Sequence, residues 1–469
     1  MKRHVAFSAA PLGFTLIEVL IATTLSLMMM VAVITMFSRV TSSISKSRAG
    51  VEAADRLRLA ASRLQQDLAG VTVDMSKVWH RPEDNEGYLE YIEGPVTQTT
   101  ASTYAVNTDA SNAADTTVGD FDDILIFTTR STGRPFIGKV PTTINSSGAI
   151  QSDVAEVAWF IRGRTLYRRM LLVKPSAPIG AAVLATGFYK DYDLSAHAIY
   201  DQSTSLKYAV LNTLGDLTKR ENRFAHLTQF GNSSGTYKAA FPFNASLWCW
   251  QCTSGATTIT IPTLPTLREC SSASWTIEPM ESPTIPTTVP LSATPNVTNL
   301  DFWTNAASHR VSDNSLSSST DGTRIADDVI LTNVIGFDVK AWDPVANGYV
   351  DLGYGGVSAS SSNINSLAHY GAVGYESTGL VGTSSTARIY DTWPTHYESQ
   401  GISSTDTNAG RALNGLDDDG NGIVDDAGEF LTSPPYPIAL RGIQIKIRTF
   451  EPDSRQVREV TVVQDFLPK

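Results

Sequence analysis

The sequence predicts an α+β protein: one long N-terminal helix, membrane-spanning in its first half, packed on an antiparallel β-sheet domain that carries two large insertions. Three observations lead there. The run from Phe14 to Phe37 is apolar apart from Glu18 and a few hydroxyl side chains. A stretch with helical periodicity follows it as far as Gly70. Beyond that, short β-branched runs recur between turn residues and end in strict alternation from Ile443 to Thr449, the mark of a half-buried strand.

The 24 residues from Phe14 to Phe37 rise about 36 Å as a helix, enough to cross an apolar bilayer core of about 30 Å. Glu18 stands out, because a carboxylate in the membrane costs about 2.5 to 3.5 kcal/mol on insertion scales. It calls for a partner. Cleavage after Gly13 would supply one, by freeing an ammonium on Phe14 about one turn from Glu18 or beside the Glu18 of a neighbour. A conventional signal peptide fits poorly. Its apolar core should precede the cut and be followed by a small-x-small site, yet the leader Met1 to Gly13 has Lys2 and Arg3 and no apolar core. The first such triplet ending in alanine after the run is Ser47-Arg48-Ala49, improbably late. Lys2 and Arg3 precede the run while Arg39, Lys46 and Arg48 follow it, so flanking charge does not fix the orientation.

The residues Gly13-Phe14-Thr15-Leu16-Ile17-Glu18 resemble the processing site of type IV prepilins and of the pseudopilins of type II secretion. The resemblance implies that a prepilin peptidase of the inner membrane cuts between Gly13 and Phe14 and methylates the new amine of Phe14. It also implies that Glu18 pairs with another subunit's N-terminus during assembly. The resulting organisation is a leader over 1–13, a transmembrane helix over 14–38, a continuing amphipathic helix over 39–70, and a periplasmic domain over 71–469 on a single-pass inner-membrane anchor.

Loss of the leader removes Lys2 and Arg3 and takes the formal charge from −11 to −13 over 456 residues. Such acidity argues against nucleic acid as a partner. It suits an extracytoplasmic body and divalent cations.

After the membrane run, Ile44, Val51, Leu57, Ala61, Leu64 and Leu68 form a stripe with helical spacing, and Arg56, Arg58, Arg63 and Asp67 lie elsewhere around the turn. A plain amphipathic helix of a soluble domain would bury the same stripe. Gly70 is the expected C-cap. Strands are expected at Asp123 to Thr129, Val154 to Ile161, Thr165 to Val173, Gly336 to Trp342, Ile443 to Thr449 and Val457 to Val463. Arg162-Gly163-Arg164 joins the second and third as a hairpin, and Glu451-Pro452-Asp453-Ser454 joins the last two. This sequence of strands is similar to the body of J-type minor pseudopilins. The resemblance implies a pilin-like fold and a structural subunit that helps form the tip of a secretion pseudopilus with other minor and major pseudopilins. The alternative within the same resemblance is a minor pilin of a type IV pilus, where the insertions would serve assembly or adhesion.

The insertions cover about 174–328 and 344–437, too long for structureless loops in a compact domain. The first holds Cys249, Cys252 and Cys270, for which an oxidising compartment favours one bridge and one leftover thiol. Cys249 and Cys252 also have redox-motif spacing, but the flanks suggest a loop or strand and not the helix N-terminus that such a site needs. Zinc would require a fourth ligand, and no histidine lies close in sequence. The second insertion contains Asp417-Asp418-Asp419-Gly420-Asn421-Gly422-Ile423-Val424-Asp425-Asp426-Ala427-Gly428-Glu429, six acids in thirteen positions. The spacing resembles an EF-hand calcium loop, with oxygens from Asp417, Asp419 and Asn421, glycine at position six, the Ile423 carbonyl at seven and Asp425 at nine. It departs at position twelve, Gly428, so Glu429 or Asp426 would close the shell; without a cation the run is a solvated acidic turn. No nucleophile elbow, zincin pair or phosphate loop occurs, and the expectation is a protein without enzymatic activity.

Overall fold

A computed structural model describes residues 15–77, 80, 82–92, 123–142, 144–162, 165–173, 178–179, 188–201, 206–218, 222–224, 249–254, 257–262, 264, 267, 289–290, 327–352, 389–392 and 438–466. The chain divides into two compact units, Met1–Asp55 with Glu451–Gln456, and Arg56–Phe450 with Val457–Lys469.

Helix α1 runs Leu16–Ala69, 54 residues or about 81 Å of rise. From Leu16 to Arg48 it is solvent-facing: Leu16, Met28 and Phe37 are 81, 72 and 69% exposed. Ile44 and Val51 are also exposed. The expected stripe is therefore buried only from Leu57 onward, where Leu57, Ala61, Leu64 and Leu68 turn inward with Ala60. The helix stops at Gly70, whose N–H donates to the Asp67 carbonyl at 3.2 Å. A Cβ there would lie 2.1 Å from the Arg130 carbonyl oxygen. Only glycine allows that approach.

The strands of the second unit are β1 (Leu89–Ile92), β2 (Ile124–Arg130), β3 (Phe136–Lys139), β4 (Ala149–Ser152), β5 (Val154–Arg162), β6 (Thr165–Leu172), β7 (Pro178–Ile179), β8 (Ala196–Asp201), β9 (Leu206–Leu211), β10 (Cys249–Ser254), β11 (Thr257–Pro262), β12 (Val289–Pro290), β13 (Val329–Thr332), β14 (Val334–Asp343), β15 (Gly348–Val350) and β16 (Ile389–Asp391). They close with β17 (Gly442–Glu451) and β18 (Gln456–Asp465), and a short helix α2 spans Phe188–Asp191. Six strands form one antiparallel sheet in the order β13-β6-β5-β2-β1-β16, and four form a second in the order β15-β14-β17-β18. Asn333, at a φ of 58°, is the single residue between β13 and β14 and hands the chain from one sheet to the other. Asparagine is among the few residues besides glycine that visit that region readily.

The first sheet is buried on both faces, which is why β2 reads as an unbroken apolar run. Leu125, Phe127, Val157 and Trp159 face a core shared with Leu57, Leu64 and Leu68 of α1 and with Phe337, Val339, Ile443, Ile445 and Ile447 of the second sheet. Ile124, Ile126, Ala158 and Phe160 point the other way, into a second core built with Phe188, Leu194, Leu211, Leu217, Phe224 and Leu264. Residues within 174–328 thus form a layer of the core, and β16, from within 344–437, pairs with β1.

Candidate functional site

The N-terminal end of α1 is built around Glu18. Thr15 precedes the helix, and both its N–H and its hydroxyl donate to Glu18 Oε2, at 3.0 and 2.9 Å. The Glu18 N–H donates back to Thr15 Oγ1 at 3.3 Å. This is a reciprocal capping box, in which Ncap threonine and N3 glutamate satisfy each other's orphan donors at the positive end of the helix. Both bonds received by the carboxylate land on Oε2; among the described residues Oε1 accepts none. Glu18 is the only ionisable side chain from Thr15 to Ser38. The hydroxyls of Thr23, Thr24 and Thr35 donate to the Leu20, Ile21 and Val31 carbonyls within the helix, so they add no unsatisfied polar group to an apolar surround. Glu18 shares its helix face with Ala22 and Ser26, small residues that let a second helix approach closely.

By length and composition α1 can cross a membrane: its most apolar window has a mean hydropathy of 2.3 and none of it is buried. The far part of the same helix is fixed to the first sheet by charge as well as apolar contact. Arg168 holds Asp67 in a two-point grip, Nε to Oδ2 at 2.6 Å and Nη2 to Oδ1 at 2.9 Å. Trp159 Nε1–H donates to Oδ2 at 3.1 Å, and Arg63 stands 3.7 Å away. The planar guanidinium matches the carboxylate geometry, so helix rotation relative to β6 is fixed as well as separation.

On the sheet's other face, the buried Glu156 carboxylate accepts from Tyr88 Oη at 2.6 Å, Ser195 Oγ at 2.5 Å and the Phe224 N–H at 3.0 Å. Asn212 Nδ2 donates to Ser195 Oγ at 2.9 Å, and Asn212 Oδ1 meets His197 Nδ1 at 2.6 Å. Serine, histidine and a carboxylate are therefore neighbours, but Asn212 stands between serine and histidine. Ser195 is fully buried and already donates to Glu156. The arrangement cross-links layers and offers no exposed nucleophile. Next to it, Arg223 lies 3.8 Å above the Tyr88 ring and reaches Glu90 at 2.9 Å and Asp391 at 2.7 Å. Burial opposes its charge, and Asp391 and Glu90 more than offset this, so its pKa is held above the ordinary arginine value. The same burial, with Glu156 alongside, drives the Tyr88 hydroxyl well above the ordinary phenol value.

Of the residues singled out in sequence, Glu18 lies at the helix start as described. Gly13 and Phe14 lie outside the described residues, as do Cys270 and the whole calcium-type loop with Asp417, Asp419, Asn421, Ile423, Asp425 and Glu429. Cys249 and Cys252 sit on β10, opposite Pro262 and Ile259 of β11, a strand and not a helix N-terminus. Among the described residues no group of three or more His, Cys, Asp or Glu is placed to hold a metal. Sequence reasoning passed over the clamps at Asp67, Glu156 and Arg223. The available signal was charge inside apolar strands, as in Val154-Ala155-Glu156-Val157 and Tyr167-Arg168-Arg169-Met170. Comparison with protein-family models, with curated proteins and with solved structures returns no match.

Proposed function

We propose that the chain is a minor pseudopilin, a structural subunit of pilin-like fold that helps form the tip of a type II secretion pseudopilus for protein export. The observation that carries the reading is the half-used carboxylate of Glu18, five residues past Gly13 in sequence, on a helix otherwise fit for lipid. Capping the chain's own Thr15 uses one oxygen and leaves the other for a cation brought in from outside. The ammonium freed by hydrolysis of the Gly13–Phe14 peptide bond on a neighbouring subunit has the right charge, and once both ions lie in an apolar surround, leaving either without the other is costly. The anchor keeps the subunit single-pass in the inner membrane until assembly, with its β-sheet domain in the periplasm. Partners are the prepilin peptidase and the sibling minor and major pseudopilins, and the acidic loop over 417–429 serves as a calcium-bound structural element. The subunit performs no catalysis of its own.

Mass spectrometry of the mature N-terminus in cells with a prepilin peptidase tests this, with a methylated Phe14 as the expected first residue. A bulky residue in place of Gly13 leaves the leader attached. Glu18→Ala is still cleaved and inserted, because losing a charge eases insertion, but its co-purification with sibling subunits falls. Recovery of an intact Met1 in the wild type, or full assembly by Glu18→Ala, refutes the reading.

A further inference from the structure

The four edges of the two larger sheets are not alike. The first sheet ends in β13 and β16, of four and three residues, and the second sheet is closed on one side by β15, of three. Short edge strands are one of the devices by which proteins avoid pairing with other chains. The remaining edge is β18, ten residues long. Its central run Val460-Thr461-Val462-Val463 has no proline, no charge and no break in the alternation of burial.

Which main-chain groups face outward follows from one bond. The Phe466 N–H donates to the Arg441 carbonyl at 2.9 Å, so the even-numbered residues of β18 direct their N–H and C=O toward β17. In an antiparallel ladder the alternate residues point away: Val457, Glu459, Thr461 and Val463. Their side chains are all exposed, with Val457 at 58% and Val463 at 48%. Among the described residues no strand pairs with this side.

We infer that β18 is a docking edge for β18 of a second copy of this chain, paired antiparallel about a two-fold axis through Val460. In that register Val457 faces Val463 of the second copy, and Glu459 faces Thr461. The four facing pairs supply about eight main-chain hydrogen bonds, two from each. The register also complements charge. Glu459 is paired at 2.5 Å with Arg448 of its own β17, and Lys446 lies beside Thr461 on the same outer face. The row across the joined sheets then reads Arg448, Glu459, Thr461, Lys446, with the last two from the second copy, so the carboxylate lies between cations. A shift of two residues toward the turn would set Glu459 against Glu459, which like-charge repulsion disfavours. A shift of one would point inward-facing groups at the edge. This surface is independent of Glu18 and of the proposed assembly role.

The test uses the full chain in detergent, with sedimentation giving the oligomeric state. The wild type is a dimer. Thr461→Pro removes an N–H that faces only the second copy, a position where an edge strand tolerates proline, and raises the dimer dissociation constant at least about tenfold. Val463→Lys does the same through an already exposed side chain and decides the matter if the proline variant loses its circular dichroism. Mixing chains bearing Glu459→Cys with chains bearing Thr461→Cys gives a mixed disulfide between those two positions, identified by peptide mass spectrometry. A chain that stays monomeric at about 100 μM, where even a weak interface is populated, overturns the inference. So does a dimer indifferent to both variants, which would assign association to the membrane helix, and so does absence of the mixed disulfide from a dimer.

Discussion

Replacing Asp67 by alanine should detach the long helix from its sheet more effectively than any single apolar truncation in the same contact. The carboxylate is 2% exposed and the Arg168 side chain 8%. Asp67→Ala leaves a guanidinium buried without its counter-charge and takes away the acceptor used by Trp159 Nε1. Breaking a buried pair in this way costs about 3 to 5 kcal/mol, a large share of the about 5 to 15 kcal/mol that a folded domain has in all. The grip itself is worth far less, because both ions were taken out of water to form it. Asp67→Leu with Arg168→Met should therefore return to within about 1 to 2 kcal/mol of the wild type. Urea unfolding of the full chain in detergent, read by tryptophan fluorescence and by the β-sheet circular dichroism signal, compares the wild type with Asp67→Ala, with Asp67→Leu and Arg168→Met singly, and with the last two combined. The reasoning is refuted if Asp67→Ala loses under about 1 kcal/mol, or if the double replacement loses as much as the two single ones together.

Three further outcomes are expected. His80 is buried with Nδ1 3.7 Å from Glu86 Oε2; burial, only partly countered by Glu86, lowers its pKa below the ordinary 6.5, so the unfolded chain binds the proton more readily. Its contribution is complete above pH 6.5 and is lost as the pH falls below that value, and urea midpoints at pH 7.5 and 5 should converge in His80→Asn relative to the wild type. Gly87 has a φ of 80° and a Cβ there would sit 2.1 Å from Thr128 Oγ1, so Gly87→Ala should cost about 2 kcal/mol or more, whereas Gly133→Ala, with open space around it, should stay within about 0.5 kcal/mol in the same melts. Calcium at about a hundredfold excess over its dissociation constant should stabilise the chain by about 2.7 kcal/mol, and Asp417→Ala with Asp419→Ala should abolish most of that gain. Because extracellular calcium modules bind at about 0.1 to 1 mM, the comparison with chelator runs to several millimolar, and equal melting temperatures there reduce the run to a solvated turn.

Elements with a local period were legible in the sequence. The helix from Leu16, the hairpin of β5 and β6 and the alternating β17 all have their burial pattern written into neighbouring residues. β1 and β16 were not, because four and three residues give no period to count. Glu90 meets Asp391 across some three hundred positions of sequence, and only the assembled sheet brings them together. The clamps escaped for a related reason: a charge in a strand ordinarily signals the wet face, and Glu156 and Arg168, like Arg223 outside the strands, are buried against partners that no local pattern identifies. Ile44 and Val51 erred in the opposite direction, since apolar spacing alone does not tell a buried stripe from an exposed one. At Glu18 the lone carboxylate in an apolar run was plain in the sequence, while the use of a single oxygen by Thr15 is visible only in three dimensions.

Arg223 also bears on the order in which the protein comes into being. Its two carboxylate partners lie 133 residues before it and 168 residues after it, so as the chain is synthesised the guanidinium is made long before the second of them exists. The same delay holds for α1, whose buried face waits for Ile443, Ile445 and Ile447 near the end of the chain. Contacts of such long sequence separation form slowly, and a nascent chain with an uncovered apolar helix face is prone to aggregate. An N-terminal segment that enters a lipid phase first would hold each growing chain apart from its neighbours in two dimensions during that wait. The apolar run would then act as a tether for folding.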